Sequence, residues 1–149
     1  MGRKDRLWLC ISPILLCLVD QGLTLGGQPE AYWAGDYTKA NEGNPVLRWC
    51  LQQHPAASAA YDLAWIALFG FFIVVLPWQI AKTISLGVAL GHIVGSATWM
   101  WWRYELYWLF PVMLLSSAAL IVWTGERASR LHDCKSASEP TATPAHGSG

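Results

Sequence analysis

TISLGVALGHIVGSATWMWW, residues 83–102, contains no Asp, Glu, Lys or Arg and a single histidine. As a helix rising 1.5 Å per residue it would be about 30 Å long, the thickness of a bilayer's hydrocarbon core. A soluble core helix of that length would carry a polar stripe, whereas here polar residues stand singly among Leu, Ile, Val and Ala. Working outward, residues 7–25, 59–80 and 106–124 form three more runs of the same kind. The connections at 81–82 and 103–105 allow only hairpins, so the last three runs must zigzag. Composition agrees, with 54% of the 149 residues hydrophobic and 13% charged, against roughly 25% charged in soluble domains. The expectation is an all-α polytopic membrane protein with four transmembrane helices in one domain, residues 1–125. A tail over 126–149, of Ser, Ala, Thr, Pro and Gly beyond Lys135, is predicted to be disordered.

Ten basic and ten acidic residues cancel, so no net field draws the chain to nucleic acid, and none is expected as a partner. What matters is where the charges sit. With the N-terminus inside, Arg3, Lys4, Arg6, Lys82, Arg127, Arg130 and Lys135 are cytoplasmic, and only Lys39, Arg48 and Arg103 lie outside. This seven-to-three split predicts both termini in the cytoplasm. Tryptophans follow the same geometry: Trp8, Trp78 and Trp123 fall at inner ends, and Trp33, Trp49, Trp99, Trp101, Trp102 and Trp108 at the outer boundary. Residues 2–19 also resemble a signal peptide. Asp20-Gln21 breaks that pattern with no small-x-small cleavage site, and apolar character resumes at Leu23, so the first run is read as a retained span. Cys10 and Cys17 lie in that span, Cys50 outside and Cys134 in the tail, and no intrachain disulfide is expected.

The one sizeable extramembrane segment, residues 26–58, has internal structure. Gly26-Gly27-Gln28-Pro29 ends the first helix, and Tyr32, Trp33 and Tyr37 read as aromatic anchors. Asn44-Pro45 is an N-cap followed by an N1 proline, opening a short helix to about Gln53 that His54-Pro55 terminates. That helix is expected to lie on the outer membrane surface or cap the bundle.

An ionisable group at mid-bilayer costs about 2.5–3.5 kcal/mol, so each needs a reason. Asp20 lies roughly 20 Å and His92 roughly 14 Å from the inner ends of their helices, and Asp62 about 5 Å below the outer boundary. Asp20 shares a face with Thr24 and Cys17, and His92 with Ser85, Ser96 and Trp99. Asp20, Thr24, Asp62, His92 and Ser96 therefore form a candidate intramembrane polar cluster. Each also has a plainer reading: Asp20 as a cap on the broken helix end, Asp62 as an interfacial residue complementing a helix dipole, His92 as a cross-helix hydrogen bonder. His54, His132 and His146 read as solvated. Gly87, Gly91 and Gly95 make a small-xxx-small stripe expected to meet another helix of the same chain in preference to a second copy.

No HxxxH or CxxC spacing supports a metal site, and no cofactor fingerprint, P-loop or nucleophile elbow occurs. Ser96 or Cys17 beside His92 could make a nucleophilic pair, though no oxyanion motif accompanies them.

The order Asp20, Leu23-Thr24, then Glu42-Gly43-Asn44-Pro45 opening a helix with Arg48-Trp49, resembles a bacterial family of small multi-pass membrane proteins, domain of unknown function 5658. That family has Asp and Thr late in its first helix and a Glu-x-Asn-Pro element shortly after. This chain has a longer segment between Thr24 and Glu42. The resemblance implies that Asp20, Thr24, Glu42, Asn44 and Pro45 belong together, with Glu42, Asn44 and Pro45 as a loop-capping motif, and implies no activity. Glu42 or Asn44 folded over the first helix could bond the backbone freed near Gly26. Two functions stay open: a non-catalytic binding or assembly protein whose outer loop caps the bundle for a lipid, another membrane protein or a second copy, and a membrane-embedded enzyme or proton-coupled carrier using Asp20 and His92.

Overall fold

A computed structural model describes residues 3–138; they are helical apart from turns and connections, with no strand. α1 (Arg3–Gly26), α4 (Pro55–Val75), α5 (Trp78–Trp102) and α6 (Phe110–Ser138) are the long elements. Between α1 and α4 lie a single turn, α2 (Glu30–Trp33), a 3₁₀ turn at Tyr37–Lys39, and α3 (Pro45–Gln53). All four long helices are apolar enough to cross a membrane, as an all-α polytopic protein requires. α1 and α5 form the central pair, with α4 and α6 each touching both and not each other.

Local chemistry sets the boundaries. Asn44 Oδ1 accepts from the Val46 and Leu47 amides at 3.0 and 3.3 Å, and Pro45 occupies the first turn, so α3 starts as its sequence directs. His54, expected to be solvated, is exposed but caps α4, its Nδ1 accepting from the Ala56 amide at 3.0 Å. The hairpin expected at Ala81-Lys82 forms instead at Leu76-Pro77. Proline disfavours the α conformation in the residue before it, and Leu76 is extended (φ −78°, ψ 161°). Lys82 accordingly sits within α5, its ammonium 5.8 Å from the Trp78 ring centroid. At the other end, α6 opens after a 3₁₀ turn at Tyr107–Leu109, and Glu105 takes up the reversal with φ 54°.

The expected tail from Glu126 is also revised, because α6 continues to Ser138. Ala128 there is fully buried, and His132, also expected to be solvated, stacks on Trp78 at 4.4 Å with Nδ1 3.6 Å from Asp5 Oδ2. These contacts give the extra turns something to pack on. Residues 139–149, with His146, lie outside the described residues.

At the termini end the core is dense: Leu9, Cys10, Phe69, Ile73, Ala81 and Ala128 are buried together. Arg6, 6% exposed, donates from one guanidinium nitrogen to the carbonyls of Val74 (2.9 Å) and Leu76, which the break at Pro77 has freed. Pro13 lies inside α1 and has no N–H for the Leu9 carbonyl one turn back. The Ser85 hydroxyl of α5 donates to that oxygen at 2.6 Å, so the gap left by the proline becomes a tie between the central helices. The four cysteines are free thiols.

Candidate functional site

Toward the loop end the helices part. A cavity of about 820 Å³ opens between α1, α4 and α5 and is roofed by residues 41–44 and Leu47. Asp20 and Thr24 of α1, Tyr61, Asp62 and Trp65 of α4, and Gly87, Gly91, His92 and Gly95 of α5 line it.

Helical spacing brings Asp20 and His92 onto facing surfaces. His92 Nδ1 lies 3.0 Å from Asp20 Oδ2, with the side chains 17% and 20% exposed. Ser96 turns its hydroxyl to Asp20 Oδ1 at 3.5 Å. The plainer reading of Asp20 as a helix-end cap is therefore replaced by a cross-helix pair. With one proton on Nδ1 the pair carries a net −1; a second proton on the imidazole brings it to zero.

Gly95 makes this approach possible, since a Cβ there would stand 2.6 Å from Asp20 Oδ2. The rest of the stripe behaves differently from expectation. A Cβ at Gly87 or Gly91 would meet nothing within 4 Å, because these two glycines face the cavity and not a helix. They widen the space; only Gly95 serves close packing.

Asp62 also departs from its expected role. It lies seven residues into α4, lines the cavity, and has Oδ2 shielded from solvent with no hydrogen-bond partner. Gln21 shares this condition: its amide nitrogen donates to Ser58 Oγ at 3.1 Å, while Oε1 is buried and unmatched.

The expected closure of α1 by Glu42 or Asn44 is not what the structure contains. Asn44 caps its own helix, and Glu42 Oε1 accepts from the Asn44 amide at 2.8 Å while its backbone carbonyl accepts from Arg48 Nε at 2.5 Å. Three residues that sequence reasoning passed over close α1 instead. Gln28, 3% exposed, donates to the Thr24 and Asn41 carbonyls at 2.9 Å each and accepts from the Asn41 amide at 2.8 Å. Arg103 Nε donates to the Gly27 carbonyl at 2.7 Å, and the Tyr104 hydroxyl to that of Leu23 at 3.0 Å. The one local signal was an amide directly after the helix-breaking glycines. Thr24 is buried, and Pro45 sits outside the cavity lining.

Tyr32, read as an interfacial anchor, is fully buried and donates to the Leu51 carbonyl at 3.2 Å, holding α2 to α3. Burial pushes its hydroxyl above the usual phenol range, with Tyr37 adding to the effect. Burial likewise pushes the Glu42 carboxyl upward, opposed by the Asn44 and Gly43 amides and reinforced by Asp20.

Among the described residues no three His, Cys, Asp or Glu side chains converge to hold a metal ion. Ser96 and Cys17 are each 1% exposed, and the Ser96 hydroxyl is directed at Asp20 and not at His92. No family model, no curated protein and no solved structure matches this chain.

Proposed function

We propose that this multi-pass membrane protein is a binding protein that takes a small ligand into the loop-roofed cavity, with the Asp20–His92 pair as its polar wall. The observation that carries the reading is the cavity itself. Its volume of about 820 Å³ falls in the range of small-molecule sites, about 300–1,000 Å³, and a few convergent polar groups stand among Trp and Tyr side chains. Asp20, Thr24, Glu42 and Asn44 all border it, so four of the five residues that carry the resemblance to domain of unknown function 5658 stand at one place. The split of basic residues supports both termini in the cytoplasm, with the cavity facing outward, and the resemblance to a bacterial family implies the inner membrane. Its surroundings are then the lipid bilayer, with no nucleic acid involved, and its assembly partner another membrane protein or a second copy.

Gly91→Cys in a cysteine-free background tests the reading. A small methanethiosulfonate cation should label that position from the loop side in sealed vesicles, and Gly91→Leu should abolish ligand uptake. Labelling only after unfolding would overturn it.

The Asp20–His92 contact favours a second reading, a proton-coupled carrier, because the pair can change its net charge within the cavity. A carrier must expose the deep end to the opposite side. Gly87→Cys reacting from both membrane faces would select the carrier, and reaction from the loop face alone the binding protein.

A further inference from the structure

We infer that the cavity's ligand is a zwitterionic phospholipid taken from the bilayer, with its phosphate on Arg103, its ammonium toward Glu42 and an acyl chain in the gap between α4 and α5. The inference rests on the binding reading above and adds the ligand's chemistry and its route of entry.

The cavity has a back wall and a roof but stands open on one side. α1 backs it and residues 41–44 roof it, while α6 touches α1 and α5 but not α4, so no described long helix crosses in front of the gap between α4 and α5. Phe69, Ile73 and Ala81 close that gap near the hairpin. Further along, Gly87 and Gly91 line the cavity and are exposed, and nothing lies within 4 Å of where a Cβ would stand. The lips of the opening are apolar: Leu90 and Val94, one position round α5, and Trp65, Leu68 and Phe72 on the near edge of α4 are all exposed. At membrane depth such an opening faces acyl chains. Gly91 lies twelve residues before Arg103, about 18 Å along the helix, and half of the hydrocarbon core is about 15 Å. The gap thus matches the depth of one leaflet.

Charge supplies the other end. Arg103 lines the cavity and is exposed, and no carboxylate among the described residues forms an ion pair with it. Its bond through Nε to the Gly27 carbonyl orients the guanidinium and leaves its charge and two terminal nitrogens available. Trp101, Trp102 and Trp108 are exposed at the same end of the bundle, a ring belt that marks headgroup depth, where a guanidinium binds phosphate oxygens in forked pairs. A head with a phosphate alone would also face Asp20 and Glu42. Glu42, in the roof, gives Oε1 to the Asn44 amide and keeps a second carboxylate oxygen for an ammonium. Asp62 Oδ2 and Gln21 Oε1 are shielded and take no part.

The test uses purified full-length protein in a neutral maltoside detergent and native mass spectrometry, with dioleoyl phosphatidylethanolamine, dioleoyl phosphatidylglycerol and dioleoylglycerol titrated in turn. One phosphatidylethanolamine should be retained, at least about tenfold tighter than dioleoylglycerol, which has no phosphate. It should also bind about threefold or more tighter than phosphatidylglycerol, which has no ammonium. Excess glycerophosphoethanolamine, the head without chains, should not displace it. Arg103→Gln should bring phosphatidylethanolamine down to the level of dioleoylglycerol, and Gly91→Leu should remove the adduct, with the helical circular dichroism unchanged. Retention of either other lipid as tightly as phosphatidylethanolamine, or displacement by the chainless head, would overturn the assignment. The comparison among the three lipids on the native chain holds even if a variant fails to fold. In lipid-free detergent, Gly91→Cys should react with the methanethiosulfonate cation, and phosphatidylethanolamine should slow that reaction. An unchanged rate sinks the lipid alone. Absence of reaction before unfolding sinks the cavity reading underneath it.

Discussion

The two ends of this bundle differ in how closely the helices are tied together. At the termini end, Arg6 takes up the carbonyls exposed by Pro77, Ser85 fills the gap left by Pro13, and His132 stacks on Trp78 beside Asp5. At the loop end, Asp62 and Gln21 keep unmatched oxygens beside an open cavity. An unmatched buried acceptor costs about 1–3 kcal/mol. A fold able to satisfy displaced backbone carbonyls at one end therefore bears that cost at the other.

The comparison breaks most sharply on one helix face. Gly95→Leu would drive side-chain atoms into Asp20, and unfolding titrations in mixed micelles should show a loss of about 3 kcal/mol. Gly87→Leu, two turns away over the cavity, should stay within about 0.5 kcal/mol of the native protein. Equal losses would mean that the stripe packs along its whole length. Next in size is Arg6→Met, expected to cost about 2 kcal/mol in the same titration by stripping donors from two buried carbonyls.

Ser85→Ala should cost about 1 kcal/mol, and less in a Pro13→Ala background, where residue 13 regains an N–H for Leu9. A double-mutant cycle without coupling would show that serine and proline act independently. The smallest effect belongs to pH. Burial raises the Glu42 carboxyl above its usual 4.5, so the folded protein holds this proton more tightly than the unfolded chain. Stability from this source is present below pH 4.5 and is lost as pH rises through the raised folded value. Asp20, Asp62 and Arg48 are the charged groups coupled to it. Glu42→Gln should flatten that decline by less than about 1 kcal/mol, visible as a shallower fall in melting temperature between pH 4.5 and 7.

Much of the architecture is readable from residue order because lipid-length apolar runs leave few alternatives. The hairpin at Pro77 is harder to read, since one proline inside an unbroken apolar stretch carries no change in hydropathy. The meeting of Asp20 with His92 follows from helical periodicity once two helices are assumed to face each other. Asp62 lines the same cavity as Asp20 and His92, but its depth is hard to read, because it depends on where α4 starts, at Pro55 and not Ala59. Gln28 acts close by in sequence, on Thr24 and Asn41, but Arg103 and Tyr104 act only through the folded approach of α5 to the end of α1, over separations of up to 81 residues. No pattern within a helix or a turn could have disclosed those two.

The sequence separation of Asp20 and His92 also has a consequence for biosynthesis. The two are 72 residues apart, and ribosomes add roughly 5–20 residues per second. During synthesis the first helix therefore waits roughly 4–15 seconds with a carboxyl group that has not yet met its imidazole. Over that interval the carboxyl group has to be accommodated without its partner, until the fifth helix arrives.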